Sequence, residues 1–176
     1  MRTRRLISPS DPMPSDKQSA LRHRTVLLHE AVDSLVLKSD DVVVDGTLGG
    51  AGHSLEIAKR LGQKGTLVGF DADSEAIARS QTALKGTKAS VHFVHANFRY
   101  IRTELEKIGI SKIDKALFDL GWSGYQLTGG RGFSFLSDDP LSMAYDKDQA
   151  LSAATIVNEW QEESLADIIY GWGEER

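Results

Sequence analysis

Val42-Val43-Val44-Asp45-Gly46-Thr47-Leu48-Gly49-Gly50-Ala51-Gly52-His53 decides the fold of this chain. Three consecutive valines suit a buried strand, an acid closes the run, and a glycine-rich turn follows. Ser54, Leu55, Ile57, Ala58 and Leu61 then open a helical pattern. A strand that passes through such a turn into a helix brings backbone close to a nucleotide-like ligand at the strand's carboxyl end. Glycine permits positive φ and removes the Cβ that would block the approach. The first N–H groups of the helix can hold an anionic group.

The details of the turn narrow the ligand. The dinucleotide fingerprint wants G-x-G-x-x-G, and Leu55 stands where its third glycine belongs. No G-x-x-x-x-G-K-[ST] occurs, so a phosphate-binding P-loop is excluded. An Asp-Gly start with glycines gathered just before the helix is the form common in S-adenosylmethionine (SAM) methyltransferases. The competing reading is a tight strand-to-helix turn that binds nothing.

With 176 residues the chain can bury one core, and its length predicts about one domain. It has no cysteine, which excludes disulfides and thiolate metal sites and suits a reducing compartment, so a cytoplasmic location is expected. No apolar run approaches the ~18 residues of a membrane span, and the N-terminal arginines precede no apolar stretch of a secretory signal. The net charge of −4 is uneven. Arg2, Arg4, Arg5, Lys17, Arg22 and Arg24 oppose only Asp11 and Asp16 in the first 24 residues, and the remainder is acidic. A basic arm can touch RNA phosphates, although such arms are commonly just solvated.

Residues 1–22, with Pro9, Pro12 and Pro14, read as a disordered basic leader. A short helix is expected over 28–37, then strands near 41–46, 66–71, 91–95 and 115–120, with helices near 52–62, 73–85 and 99–108 between them. Strands alternating with helices predict an α/β fold with a parallel sheet. Residues 121–150 are rich in Gly, Ser and Asp with scattered aromatics, a loop long enough to be functional or disordered. Helices near 151–158 and 161–170 follow.

Asp71 ends the second strand, 19 residues after Gly52, where a carboxylate can accept hydrogen bonds from both ribose hydroxyls. It could instead cap the next helix, but Asp73 and Ser74 are better placed to do so. Phe98, after the third strand, could lie against an adenine ring or pack in the core. Phe118-Asp119-Leu120-Gly121-Trp122 ends the fourth strand with an acid beside aromatics. A nucleobase amine is a poor nucleophile, because its lone pair is delocalised into the ring. A site that methylates one must orient the amine in line and accept its hydrogen bonds. Asp119 could do this, as the candidate catalytic residue, or could hold the cofactor's amino group. His92 and His95 are three apart, which on a strand sends them to opposite faces, so no metal site is expected. His53 is expected to hydrogen-bond within the turn.

Taken together, these segments resemble the MraW family of bacterial small-subunit ribosomal RNA cytosine-N4 methyltransferases. The matching stretches include His23-Arg24-Thr25-Val26-Leu27-Leu28, Val44 through Ser54, Phe70-Asp71-Ala72-Asp73, Asp119-Leu120-Gly121, Tyr125-Gln126-Leu127, Arg131-Gly132-Phe133-Ser134-Phe135 and Pro140-Leu141-Ser142-Met143. The resemblance implies a Rossmann-like methyltransferase sheet, incomplete over 23–130. It places a substrate loop and the start of an inserted helical domain over 131–176. It implies SAM as cofactor and a cytosine amine near the decoding site of 16S ribosomal RNA as acceptor, so the small-subunit RNA is the expected partner. By position, Ala51, Gly52 and His53 would contact SAM, Asp71 its ribose and Phe98 its adenine side. Asp119 and Gln126 would serve the methionine end or the transfer region, and residues 129–143 an RNA-facing wall. The family commonly has a small residue and two serines after Asp-Leu-Gly, where this chain has Trp122-Ser123-Gly124, and Tyr145 is a further departure.

The resemblance also makes the chain look truncated. It would keep the cofactor contacts, leave the fourth strand uncovered on one side, and lack what methylation needs. The absence of cysteine fits direct transfer to nitrogen, since C5 methylation of cytosine uses a thiolate. Two other readings compete. One is an NAD(P)-binding oxidoreductase, opposed by the missing third glycine. The other is an inactive RNA- or ribosome-binding fragment working through the basic arm and the aromatic loop.

Overall fold

The computed structural model describes residues 25–127 and 129–173. Strands β1 (Val42–Asp45), β2 (Thr66–Asp71), β3 (Ser90–His95) and β4 (Lys115–Leu117) form one sheet in the order β3-β2-β1-β4. All its pairings are parallel, with Val44 opposite Val68 and Ala116. Helix α1 (Leu28–Ser34) precedes β1. Helices α2 (Gly52–Arg60), α3 (Ser74–Ala83) and α4 (Ile101–Lys107) make the crossovers, α4 entered through a tight turn at Phe98–Tyr100.

The strands are apolar on both faces because both faces are covered. Val43 and Leu67 pack with Val32 of α1, Ile57 and Ala58 of α2, and Ile77 of α3. Val44, Val68, Phe70 and Val94 point the other way, to Leu105 of α4. Each fully buried Leu, Val or Ile side chain contributes about 1.5–3 kcal/mol of apolar transfer, so two such clusters hold the sheet. The first three strands step in one direction, and α4 then carries the chain back across β1 to β4. The strand order therefore reverses between β1 and β4, which is where open α/β sheets bind ligands, beyond the strand carboxyl ends.

Three expectations are corrected. β4 stops at Leu117 and not at residue 120, because the Asp119 N–H donates to the Thr47 Oγ1 at 2.8 Å and takes the chain out of the ladder. A one-turn helix, α5 (Gly124–Leu127), stands inside the stretch read as loop. His53 does not bond within the turn. Its Nε2 lies 3.1 Å from the carbonyl of Val26, ahead of α1.

Helices α6 (Ala153–Glu159) and α7 (Glu162–Trp172) follow the long loop, and no residue of either is buried. The Ser152 Oγ caps α6 by accepting from the Thr155 N–H, and the Ala153 and Ala154 N–H groups donate to loop carbonyls of Ser142 and Leu141. The leader expected over 1–22 lies outside the described residues. Among those described, no helix is long and apolar enough to cross a membrane.

Candidate cofactor and acceptor site

A cavity of about 580 Å³ opens at the switch point, a size suited to a nucleoside-like ligand. Its walls come from the turn after β1 (Gly46 to Gly49), the start of α2, Asp71 and Phe98 after β2 and β3, and residues 119–123 after β4. Tyr145 and Gln149 of the long loop close it.

Asp71 stitches two turns together. Its Oδ2 accepts from the Gly49 N–H and its Oδ1 from the Asp73 N–H, both at 2.8 Å. Gly49 sits at φ 50°, where a side chain would strain the backbone, and that conformation aims its N–H at the carboxylate. A carboxylate has about four lone-pair sites, so capacity remains toward the cavity. Burial pushes the Asp71 carboxyl above its ordinary value, against the backbone donors. Asp73 caps α3 in its place, accepting from the Glu75 N–H at 3.0 Å.

Asp45, the acid of the deciding stretch, is fully buried and does not line the cavity. It accepts from the Ser54 Oγ–H at 2.6 Å and the Thr47 N–H at 3.0 Å, which closes the turn onto α2. Burial pushes its carboxyl up despite those donors. Thr47 in turn accepts from the Asp119 N–H. Gly46 lacks a Cβ for a visible reason: one placed there would collide with the ring of Phe118.

Asp119 is half exposed in the cavity, with its Oδ2 3.9 Å from the His53 Nδ1. His53 is buried, and the carbonyl of Val26 can only accept, so the Nε2 carries the proton there. The other ring nitrogen, Nδ1, faces the Asp119 carboxylate at the opening of the cavity. Gln126, buried on α5, accepts from the Ser123 N–H at 2.8 Å through Oε1, and its amide NH₂ is the donor it can offer the cavity. Phe98 meets Phe118 edge-on at 5.4 Å between centroids.

Gly52, His53, Asp71, Phe98, Asp119 and Gln126 thus come together on one cavity wall. Ala51 does not line it. It is buried at φ 62° as the N-cap of α2, its carbonyl accepting from the Leu55 N–H. Among the described residues no group of three or more His, Asp or Glu side chains is placed to hold a metal ion. His92 and His95 have separate partners, Ser90 and the carbonyl of Ala72.

Arg131 was assigned no individual part by the sequence. Its guanidinium is buried and its Nη2 donates to both Asp73 oxygens at 3.0 and 3.2 Å and to Glu75 at 2.9 Å. Its Nη1 donates to the Tyr145 carbonyl at 2.8 Å, and its own carbonyl accepts from the Met143 N–H. Burial opposes the charge, yet Asp73 and Glu75 together hold the guanidinium above its ordinary value. This cation pins the long loop to the start of α3. Nothing in sequence spacing joins residues 58 apart.

A parallel α/β sheet with an acid-and-glycine turn at its switch point defines the class as a Rossmann-like fold. The chain belongs to the MraW methylase family, whose model matches residues 20–176. It is 47% identical over 154 residues to the ribosomal RNA small subunit methyltransferase H of Clostridioides difficile (strain 630), covering 87% of this chain and 50% of that protein. The proteins of the same name from Clostridium botulinum (strain Kyoto / Type A2) and Oceanobacillus iheyensis are 46% and 45% identical, each over 88% of this chain. The chain spans about half the length of these relatives.

Proposed function

We propose that this chain forms the SAM-binding portion of a methyltransferase acting on the N4 amine of a cytosine in 16S ribosomal RNA, near the decoding site. The names of the relatives point to ribosomal RNA. The observation that carries the reading is the meeting of the Asp71 carboxylate and the Gly49 turn with Asp119 and Gln126 in one cavity. SAM, when bound, supplies an electrophilic methyl group on a sulfonium centre. Asp71 accepts from ribose hydroxyls with the lone pairs left over from Gly49 and Asp73. Phe98 covers the adenine side, and the Gln126 amide donates toward the methionine carboxylate. Asp119 accepts an N–H bond of the incoming amine, aligns its lone pair, and stands where its proton is released. Small-subunit RNA is then the partner and the bacterial cytoplasm the place of work.

Calorimetric titration of SAM into the purified chain, with thermal unfolding measured alongside, is the test. Binding by the unaltered chain, much weakened in a still-folded Asp71→Ala variant, is the expected result. A folded chain that binds no SAM refutes the reading.

A further inference from the structure

The long loop carries an aromatic wall that the cofactor contacts leave unused. From it we infer that Trp122 and Tyr145, braced by Phe133, form the face on which an unpaired acceptor base stacks. This rests on the methyltransferase reading above. Trp122 and Tyr145 line the same cavity as Asp71 and Asp119, with 59% and 37% of their surfaces exposed. Phe133 does not line it. Its ring stands edge-on to Trp122 at 6.3 Å and tilted to Tyr145 at 5.5 Å, the arrangement of a buttress.

The wall is also held in register with the cofactor side. The Arg131 Nη1 donates to the Tyr145 carbonyl and its Nη2 to the Asp73 carboxylate, and the Asp73 N–H donates to Asp71. A continuous set of hydrogen bonds therefore fixes the Tyr145 backbone relative to the carboxylate assigned to the ribose, and Phe133 joins the Trp122 ring to it. Single-stranded bases are recognised by stacking on such aromatics. An indole presented at the rim of a cavity, three residues from Asp119, lets a stacked base reach inward with its edge. The Asp119 carboxylate at that inner end selects an edge that donates, hence an amine. Phe98, backed by Phe118, supplies a separate aromatic face for the cofactor's adenine.

The test uses the full chain and a short single-stranded RNA holding one cytosine, beside the same oligomer with that base removed. Trp122→Ala is expected to weaken binding of the cytosine oligomer about tenfold, within the range of one stacked base. Trp122→Phe should restore most of it, and SAM affinity by calorimetry should stay within about twofold in both, since the wall takes no cofactor. Fluorescence gives a second reading: quenching on adding the cytosine oligomer should vanish in Trp122→Phe, which keeps Trp160 and Trp172. Unchanged RNA affinity in Trp122→Ala overturns the inference, as does equal binding of the abasic oligomer or loss of SAM affinity in place of RNA affinity. Absence of SAM binding by the unaltered chain is a separate result, and it refutes the methyltransferase reading whatever the oligomers do.

Discussion

Replacing Arg131 by Met keeps the apolar stem of the side chain and removes the buried charge that ties the long loop to α3, leaving the half-exposed Lys147–Glu75 pair in place. The variant loses two contacts to Asp73, one to Glu75 and one to the Tyr145 carbonyl. Asp73 is 1% exposed, so its carboxylate stays buried. Removing one partner of a buried pair costs about 3–5 kcal/mol. Two features reduce that figure. Asp73 keeps the Glu75 N–H and an Arg79 guanidinium at 3.9 Å, and the Arg131 Nε is itself buried without a partner. The Glu75 contact, on a side chain 48% exposed, adds little. A loss of about 2–3 kcal/mol is expected for Arg131→Met. Arg131→Lys should fall between, because one ammonium cannot serve Asp73 and Tyr145 together. Urea unfolding followed by tryptophan fluorescence measures both, and amide exchange over residues 129–150 reports whether the loop detaches first. Asp73→Asn combined with Arg131→Met should cost less than the two changes summed, by about 1 kcal/mol or more. A single-variant loss below about 0.5 kcal/mol, the level of an ordinary surface change, refutes the reasoning, as does strict additivity.

Three further outcomes are expected. Because burial raises the Asp71 pKa, the carboxylate protonates at a higher pH than its ordinary 3.8 and loses acceptor capacity there. SAM affinity should thus fall on acidification with a midpoint above 3.8, and calorimetry on Asp71→Asn should show weaker, flatter binding. Asp45 has its folded-state pKa raised as well, so the folded chain holds that proton more tightly and loses stability as pH rises from 3.8 through the raised value. Denaturation across that window should therefore show wild type gaining on Asp45→Asn as pH falls, and a constant difference contradicts it. Gly46→Ala would drive a methyl into the Phe118 ring and disturb its contact with Phe98. It should destabilise the fold by about 1–3 kcal/mol and weaken SAM binding, both seen in one thermal-shift titration.

The sheet was legible because each strand repeats one signal, an apolar run closed by a polar residue and followed by helical spacing. All four strands lie where that signal placed them. The overrun of β4 has a physical source: Phe118 and Leu120 look like strand residues, but Phe118 is spent covering Gly46 and Asp119 on Thr47. The one-turn α5 escaped because four residues carry no period. Site residues fixed by a turn after a strand could be numbered from the chain. Partners chosen in three dimensions could not: His53 takes the carbonyl of Val26, 27 residues earlier, and Arg131 takes Asp73, and periodicity encodes neither.

The acids at the strand ends hold the site together before they hold any ligand, and this governs how mutants are read. Asp45 secures Thr47 and Ser54, Thr47 secures Asp119, and Asp71 secures Gly49 and Asp73. An Asp71→Ala change strands two backbone donors, at about 1–3 kcal/mol each where they are buried, and lets the glycine turn relax. Lost SAM binding in that variant alone therefore cannot separate a missing ribose contact from a collapsed turn. Asp71→Asn narrows the choice, since its carbonyl oxygen keeps one backbone donor and strands only the other, while its amide NH₂ can donate but not accept toward the ribose. If the ribose contact is real, Asp71→Asn loses most of the affinity while its melting temperature falls by no more than about half as much as in Asp71→Ala. If Asp71 only braces the turn, affinity and melting temperature fall together in both variants.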